Sequence, residues 1–353
     1  VNKAIDLFAG AGGWDVAAAR IGWDTDGVEI MPEAIATRAA AGHKTVHTDV
    51  TTFHAEPGAY RLGIASPSCK RYSMAGNGAG RRALEHVLAG VRLYGSGAVH
   101  EFAEMKRAIG DEDAALTLEP LRIFLACEPQ FIALEQVPAV LPVWEAYADV
   151  LRERGYSVAC AVLNAEQYGV PQTRRRAVLI ARRDGIEAVM PTPTHSRFHP
   201  SDPKRLDVGV KPWTTMAEAL NLDEAIEFQQ SKRANATVRQ LDQPAPSVHS
   251  QRSMNMMWRM VSNYGTGGDP AARGTRDSDQ PSATVTSKMD RFRVSGDGMA
   301  VRNVTPEEAA TLQTFPVGYP WQGNKGRVME QIGNAVPPLL AEAILGQFPR
   351  PCG

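Results

Sequence analysis

Cysteine is scarce in this chain. Its 353 residues hold four, at Cys69, Cys127, Cys160 and Cys352, with no CxxC pair among them. That spacing argues against a disulfide scaffold and a zinc ribbon, and it fits a reducing compartment. No metal site is expected. No run of about 18 apolar residues occurs, which disfavours a membrane span. The opening stretch Val1-Asn2-Lys3-Ala4-Ile5-Asp6 lacks the apolar core of a signal peptide. Excess charge of one sign is also missing. The formal net charge is −1, so any binding of nucleic acid must rest on local patches. What remains is ordinary globular composition, 43% hydrophobic and 22% charged, with length for two or three domains.

Residues 1–66 read as strand–helix units. Ala4–Phe8 is a short apolar run that ends in Ala9-Gly10-Ala11-Gly12-Gly13, and an alanine-rich stretch from Trp14 to Ile21 suits a helix. Gly27–Ile30 leads into a second helix over Pro32–Ala41, where Pro32 fits a first turn. Thr45–Thr48 ends at Asp49, and Leu62–Ala65 ends at Ser66-Pro67-Ser68-Cys69. Later apolar runs lie at Phe131–Glu135, Val158–Leu163 and Ala177–Ala181. This alternation predicts an α/β fold with a parallel sheet and helices on both faces. Lys70–Asp111, with its glycines and arginines, reads as one long loop, the kind that is usually a functional lid or disordered. Beyond Arg183 the texture shifts to Pro, Asp, Gln, Ser and Thr, which sets a domain boundary there. Within that region Asp242–Ser250 and Asp279–Ser287 form a weak repeat, read as paired turn–strand elements.

Several residues carry chemistry. The glycine loop follows a strand and opens a helix, where backbone can approach a ligand closely. Asp15 stands where a dinucleotide fingerprint wants its third glycine. Glu29, at the end of the second strand, suits ribose hydroxyls, and Asp49 suits an amino group on a base. A nucleoside-containing ligand follows, its identity left open. Cys69 sits after a strand end, where a thiol could attack an electrophile, although a lone cysteine is more often a small buried side chain. Glu135 also ends a strand. Arg174 and Arg176, two apart in extended chain, point to one face and suit a phosphate or a polarised carbonyl.

Taken in order, these residues resemble the cytosine-C5 DNA methyltransferase family, bacterial or phage type, from about Ala4 to Leu340 apart from the middle. Asp6–Gly13 resembles its S-adenosylmethionine loop, Ser66–Cys69 its Pro-Pro-Cys motif, and Glu135-Gln136-Val137 its Glu-Asn-Val motif. Tyr168–Arg176 is similar to its Gln-x-Arg-x-Arg motif, Arg302–Pro316 to the motif after the recognition region, and Ile332–Pro338 to the terminal motif. Ser68, Lys70 and Gln136 depart from the family pattern.

The resemblance implies a Rossmann-like methyltransferase sheet with helices on both faces, plus a smaller, irregular, β-containing target-recognition domain. Residues 1–183 would form the catalytic and cofactor-binding domain, with 70–111 as its mobile catalytic loop. Residues 184–300 would read the target, and 301–353 would return to complete the cofactor pocket. The implied reaction moves a methyl group from S-adenosyl-L-methionine to C5 of a flipped-out cytosine in double-stranded DNA. Cys69 would be the nucleophile at C6. Glu135 would hold N3 and the exocyclic amine, a role that needs a proton on the carboxylate or on N3. Arg176 would hold O2, and Arg174 would position a phosphate or the loop beside Cys69. Asp6, Phe8, Gly10, Gly12, Gly13, Glu29, Ile30, Asp49, Val50, Pro67, Asn334 and Val336 would form the cofactor pocket. A monomer in the cytoplasm of a bacterial or phage-infected host cell, associated with the nucleoid through DNA and within restriction–modification, is the expected setting. Over 228–293, ten basic residues face five acidic ones, a modest phosphate-binding surface. An RNA methyltransferase of the same family, a weakly catalytic DNA-binding homologue and a nucleotide-dependent dehydrogenase are the alternatives; the missing third glycine and the Asn334 motif argue against the last.

Overall fold

In the computed structural model, residues 2–67, 79–199, 201–202, 204–220, 259–262, 274–277, 279–285, 292–295 and 302–351 are described. Residues 3–65 begin with two strand–helix units as the sequence predicts, but the third strand is followed by a 3-10 turn in place of a helix. β1 (Lys3–Leu7) runs to α1 (Gly13–Arg20), β2 (Asp24–Val28) to α2 (Pro32–Ala40), and β3 (Lys44–His47) to one 3-10 turn before β4 (Leu62–Ala65). β2 stops at Val28, so Glu29 and Ile30 lie beyond the sheet rather than in the strand.

Four helices follow: α3 (Ala79–Gly95), α4 (Phe102–Ile109), α5 (Glu112–Leu116) and α6 (Glu119–Cys127). The expectation of a single loop over 70–111 is therefore corrected for its second part. Val87, Val91, Tyr94 and Met105 are buried in the core. The glycines misled because one of them is a packing position. A Cβ on Gly90 would lie 2.2 Å from Leu118 Cδ1, so its absence lets α3 approach its neighbours.

The chain continues through β5 (Phe131–Gln136), α7 (Leu141–Glu153), β6 (Ser157–Asn164), β7 (Gln172–Thr173) and β8 (Arg175–Arg182). The main sheet has seven strands in the order β3-β2-β1-β4-β5-β8-β6. β1 pairs in parallel with both β2 and β4, and β4 pairs in parallel with β5. β8 is the exception to the expected parallel sheet, running antiparallel to β5 and β6. The link from β6 to β8 has no room for a crossover helix, so the chain folds straight back.

Both faces of the sheet are covered, which is why its strands read as unbroken apolar runs. On β5, Ile132 and Leu134 join the cluster beneath α3–α7, while Phe131 and Ala133 join the cluster beneath α1. Beyond β8 come α8 (Met216–Leu220), β9 (Arg259–Ser262), β10 (Gly274–Asp277), β11 (Ser282–Ala283), β12 (Phe292–Ser295) and β13 (Arg302–Asn303). β10-β9-β12-β13 form a second, antiparallel sheet, and β11 pairs in parallel with β7. Of the weak repeat, Asp279–Val285 contains β11, while its copy at 242–250 lies outside the described residues. The chain ends with α9 (Pro306–Leu312), α10 (Lys325–Asn334) and α11 (Pro338–Leu345). Leu340, Ala341 and Ile344 of α11 pack with Trp14, Ala17 and Ala18 of α1.

Candidate active site and cofactor pocket

The strand order reverses between β1 and β4, and in open α/β sheets ligands bind beyond the strand ends at such a point. Two of the sequence motifs meet here. Phe8, just past β1, takes φ 61, a left-handed conformation rare for a side-chain-bearing residue. Strain of this kind collects at functional sites and costs on the order of 1–3 kcal/mol. Gly10 follows with φ +54, and a Cβ built on it would meet nothing within 4 Å, so its outer face is open. Gly12 caps α1. Gly13 is glycine for a steric reason: a Cβ there would lie 2.2 Å from the Val336 carbonyl oxygen. The loop is thus pressed against the chain between α10 and α11. Tyr319 pins it from the same side, its hydroxyl donating to Ala11 O at 2.6 Å.

Glu29 turns back toward the loop. One carboxylate oxygen accepts from Gly10 N at 2.7 Å and the other from Met31 N at 2.7 Å. Ile30 beside it is 69% exposed, an uncovered apolar side chain at a glycine-lined rim. Asp49 accepts from Thr51 N and Thr51 Oγ1 on one oxygen, and Val50 is buried next to it. Asn334 is exposed at the end of α10, whereas Val336 is buried. An open glycine face, a carboxylate and a bare isoleucine fit a ligand with ribose and a flat apolar ring.

Asp6 differs from these residues. It has no exposed surface, and neither carboxyl oxygen meets a hydrogen-bond donor among the described residues. Burial, reinforced by the neighbouring Asp15, pushes its pKa well above the ordinary carboxylate range. Asp15 itself is held by Arg38 through two bonds of 2.6 and 2.8 Å, both side chains buried. Asp6 is thus a buried carboxyl beside the Asp15–Arg38 pair.

The second half of the rim lies on β4, β5 and β8. Pro67 is buried just past β4, and the expected nucleophile Cys69 lies outside the described residues. Trp14 Nε1 donates to Ser66 Oγ at 2.9 Å, joining α1 to the end of β4. Glu135, at the end of β5, sits 2.7 Å from Arg176 Nε, with side chains only 5% and 13% exposed. The register explains the meeting: Glu135 pairs with Val178 and Gln136 with Ala177 across β5 and β8. Arg176 reaches this rim because β8 starts here, not because a strand ends. Its Nη1 also donates to Arg175 O at 2.7 Å.

Arg174 does not share that face. It is 2% exposed, and its guanidinium donates to the carbonyls of Val285, Gly333 and Ala335. Sequence spacing also missed Gln136, whose side-chain amide donates to Pro67 O, and Tyr319, 308 positions from its partner. Gln136 left a signal, since it stands where the resembled family has asparagine. Tyr319 left none. Among the described residues no group of His, Cys, Asp and Glu could hold a metal ion, and no helix is long and apolar enough to cross a membrane.

Comparison with known proteins adds a family to this geometry. The family described as C-5 cytosine-specific DNA methylase matches residues 2–350. The type II methyltransferase M1.HphI of Haemophilus parahaemolyticus is 30% identical over 96% of the chain and 84% of its own length. The type II methyltransferase M.HgiDI of Herpetosiphon aurantiacus is 25% identical over 96% and 91%. Among solved structures, the Entamoeba histolytica methyltransferase EhMeth superposes with a TM-score of 0.58 at 13% identity, covering 98% of this chain and 97% of its own. The S. pombe Dnmt2 methyltransferase gives 0.57 at 15% identity over 98% and 97%. These two likenesses show the Rossmann-like methyltransferase fold.

Proposed function

Because the chain belongs to the C-5 cytosine-specific DNA methylase family, whose members are S-adenosylmethionine-dependent DNA cytosine-5-methyltransferases, we propose that it methylates a flipped-out cytosine in duplex DNA through a covalent adduct at Cys69. The observation that carries this reading is the Glu135–Arg176 pair, whose buried carboxylate ends the strand next to the one that leads through Pro67 to Cys69.

Cytosine C5 is a weak nucleophile. Addition of the Cys69 thiolate to C6 would make C5 enamine-like and able to take a methyl group. Glu135 would hold N3 and the exocyclic amine, with the proton on one or the other, and Arg176 would hold O2. Both groups offset the charge that grows on the ring when sulfur adds. After transfer a base removes the C5 proton, the C5–C6 double bond re-forms and Cys69 leaves as thiolate. In a duplex C6 is stacked, so the base must leave the helix first.

S-adenosyl-L-methionine, when bound, supplies an electrophilic methyl group. The fit of the pocket supports this cofactor. Gly10, Gly12 and Gly13 would line it with backbone, Glu29 would accept from the ribose, and Ile30 would cover the adenine. Phe8 would pack in from the loop, Asp49 would take the adenine amine, and Val50 and Pro67 would complete the floor. Asn334 and Val336 would close the far wall, while Asp6 acts from beneath. Residues 184–300 would read the target sequence, with the protein acting as a monomer.

Methyl transfer from labelled cofactor to cytosine-containing duplex and to RNA of the same sequence tests this. Incorporation on duplex, absent with Cys69→Ala, is expected. Incorporation on RNA alone would overturn the DNA reading.

A further inference from the structure

The two arginines of the Gln-x-Arg-x-Arg segment have separate partners. Arg176 faces Glu135 at the rim. Arg174 lies between β7 and β8, fully covered, and joins three stretches of chain far apart in sequence. Nη1 donates to Val285 O at 2.8 Å and Nη2 to Ala335 O at 3.0 Å, and both reach Gly333 O at 3.4 and 3.3 Å. Gly333 and Ala335 lie at the end of α10. Carbonyls at a helix C-terminus have no partner within the helix and must be met from outside. A planar, always-charged guanidinium can meet several of them in one plane.

Two buried glutamines complete the arrangement. Gln313 Nε2 donates to Ile332 O at 2.6 Å and Ala335 O at 3.2 Å. Gln172 Nε2 donates to Gln313 Oε1 at 2.6 Å, and its Oε1 accepts from Val285 N at 2.9 Å. The carbonyl of Ala335 is therefore held twice. The next carbonyl along the chain, that of Val336, is the one pressed against Gly13. Whatever fixes Gly333–Ala335 fixes the wall facing the glycine loop.

We propose that Arg174 is a positioning residue for cofactor binding. It clasps the end of α10 to the segment carrying Val285 and so sets the wall Asn334–Val336 against Gly13, touching neither the cytosine nor a DNA phosphate. The inference rests on the reading that Asn334 and Val336 line the cofactor pocket.

The test measures S-adenosylmethionine affinity without DNA for the wild-type protein, Arg174→Lys, Gln313→Met and Asn334→Ala, then KM for DNA and kcat at saturating cofactor. Lysine keeps the charge but not the planar fork. The clasp predicts about tenfold weaker cofactor binding for Arg174→Lys, the equivalent of one charge-assisted hydrogen bond. KM for duplex should stay within about twofold once cofactor saturates, because no DNA contact is lost. Gln313→Met, acting on the same carbonyl, should weaken cofactor binding in the same DNA-free assay. It answers the question if Arg174→Lys does not fold, and urea midpoints identify such a case. Unchanged cofactor affinity in both variants while Asn334→Ala weakens it would overturn the clasp alone. A raised KM for DNA in Arg174→Lys, with cofactor affinity intact, would return Arg174 to the DNA. Unchanged affinity in Asn334→Ala would remove the pocket reading and the clasp with it.

Discussion

Gln136 donates its side-chain amide to the carbonyl of Pro67, 69 residues away, and its Oε1 accepts the Val137 N–H at 2.5 Å. One buried side chain thus ties the end of β5 to the chain leaving β4, two residues before Cys69. The tether fixes where the end of β4, which leads to the proposed nucleophile Cys69, lies relative to Glu135. Gln136→Ala should lower the single-turnover methylation rate at saturating cofactor about 100-fold, the usual cost of displacing a reacting group by roughly 1 Å. Gln136→Asn, one methylene shorter, should fall between that variant and wild type. A rate equal to wild type in Gln136→Ala would show that the tether does not position the nucleophile.

Glu135 and Arg176 form an ion pair at 2.7 Å in which Glu135 is buried and Arg176 half-buried. Removing Arg176 leaves the buried Glu135 carboxylate without its counter-charge, which for a buried pair typically costs roughly 3–5 kcal/mol. Arg176→Ala should therefore lose stability to urea as well as methyl transfer. Glu135→Gln keeps shape and lacks the negative charge, so it should lose transfer while losing less stability. Equal urea midpoints for Arg176→Ala and wild type would contradict the burial of Glu135.

Ile30 is 69% exposed and has no structural reason to be apolar. If it covers the adenine, Ile30→Ala should leave stability within about 0.5 kcal/mol. Cofactor affinity should fall about five- to tenfold, matching roughly 1–1.5 kcal/mol of lost apolar burial. Equilibrium binding beside a thermal melt separates the two effects.

Glu166, just past β6, carries a carboxyl pushed up to about 7, chiefly by burial, although the backbone N–H groups of Phe198 and Arg174 and the charge of Arg197 pull the other way. The folded pKa is above the unfolded one. The stability from keeping this proton is complete below about 4.5 and is lost as pH rises through about 7. For this residue alone the loss is on the order of 3 kcal/mol by pH 8. Urea midpoints measured from pH 5 to 8 should fall less steeply for Glu166→Gln than for wild type. Parallel slopes would show that Glu166 does not titrate in this range.

The parts of this site that the sequence made legible are local ones. A glycine loop between strand and helix, a carboxylate at a strand end and an arginine at a strand start can each be read within ten residues. The direction of β8 was not legible, because apolar patterning carries no sign for strand direction. Arg174 was misjudged for a related reason: extended spacing put it beside Arg176, but its partners Val285, Gly333 and Ala335 lie more than 100 positions away. The helical part of 70–111 was hidden because Gly90 reads as a breaker, while its lack of a Cβ serves the contact with Leu118.

Covalent addition through Cys69 can be trapped on duplex DNA carrying 5-fluorocytosine, incubated with S-adenosylmethionine and either wild type or Cys69→Ala. Fluorine at C5 cannot leave as a proton does, so an enzyme that adds through Cys69 stays attached after methyl transfer. A denaturation-resistant adduct is expected with wild type and none with Cys69→Ala. A wild-type protein that binds such DNA, with cofactor present, and forms no adduct across diverse sequences would contradict addition through Cys69.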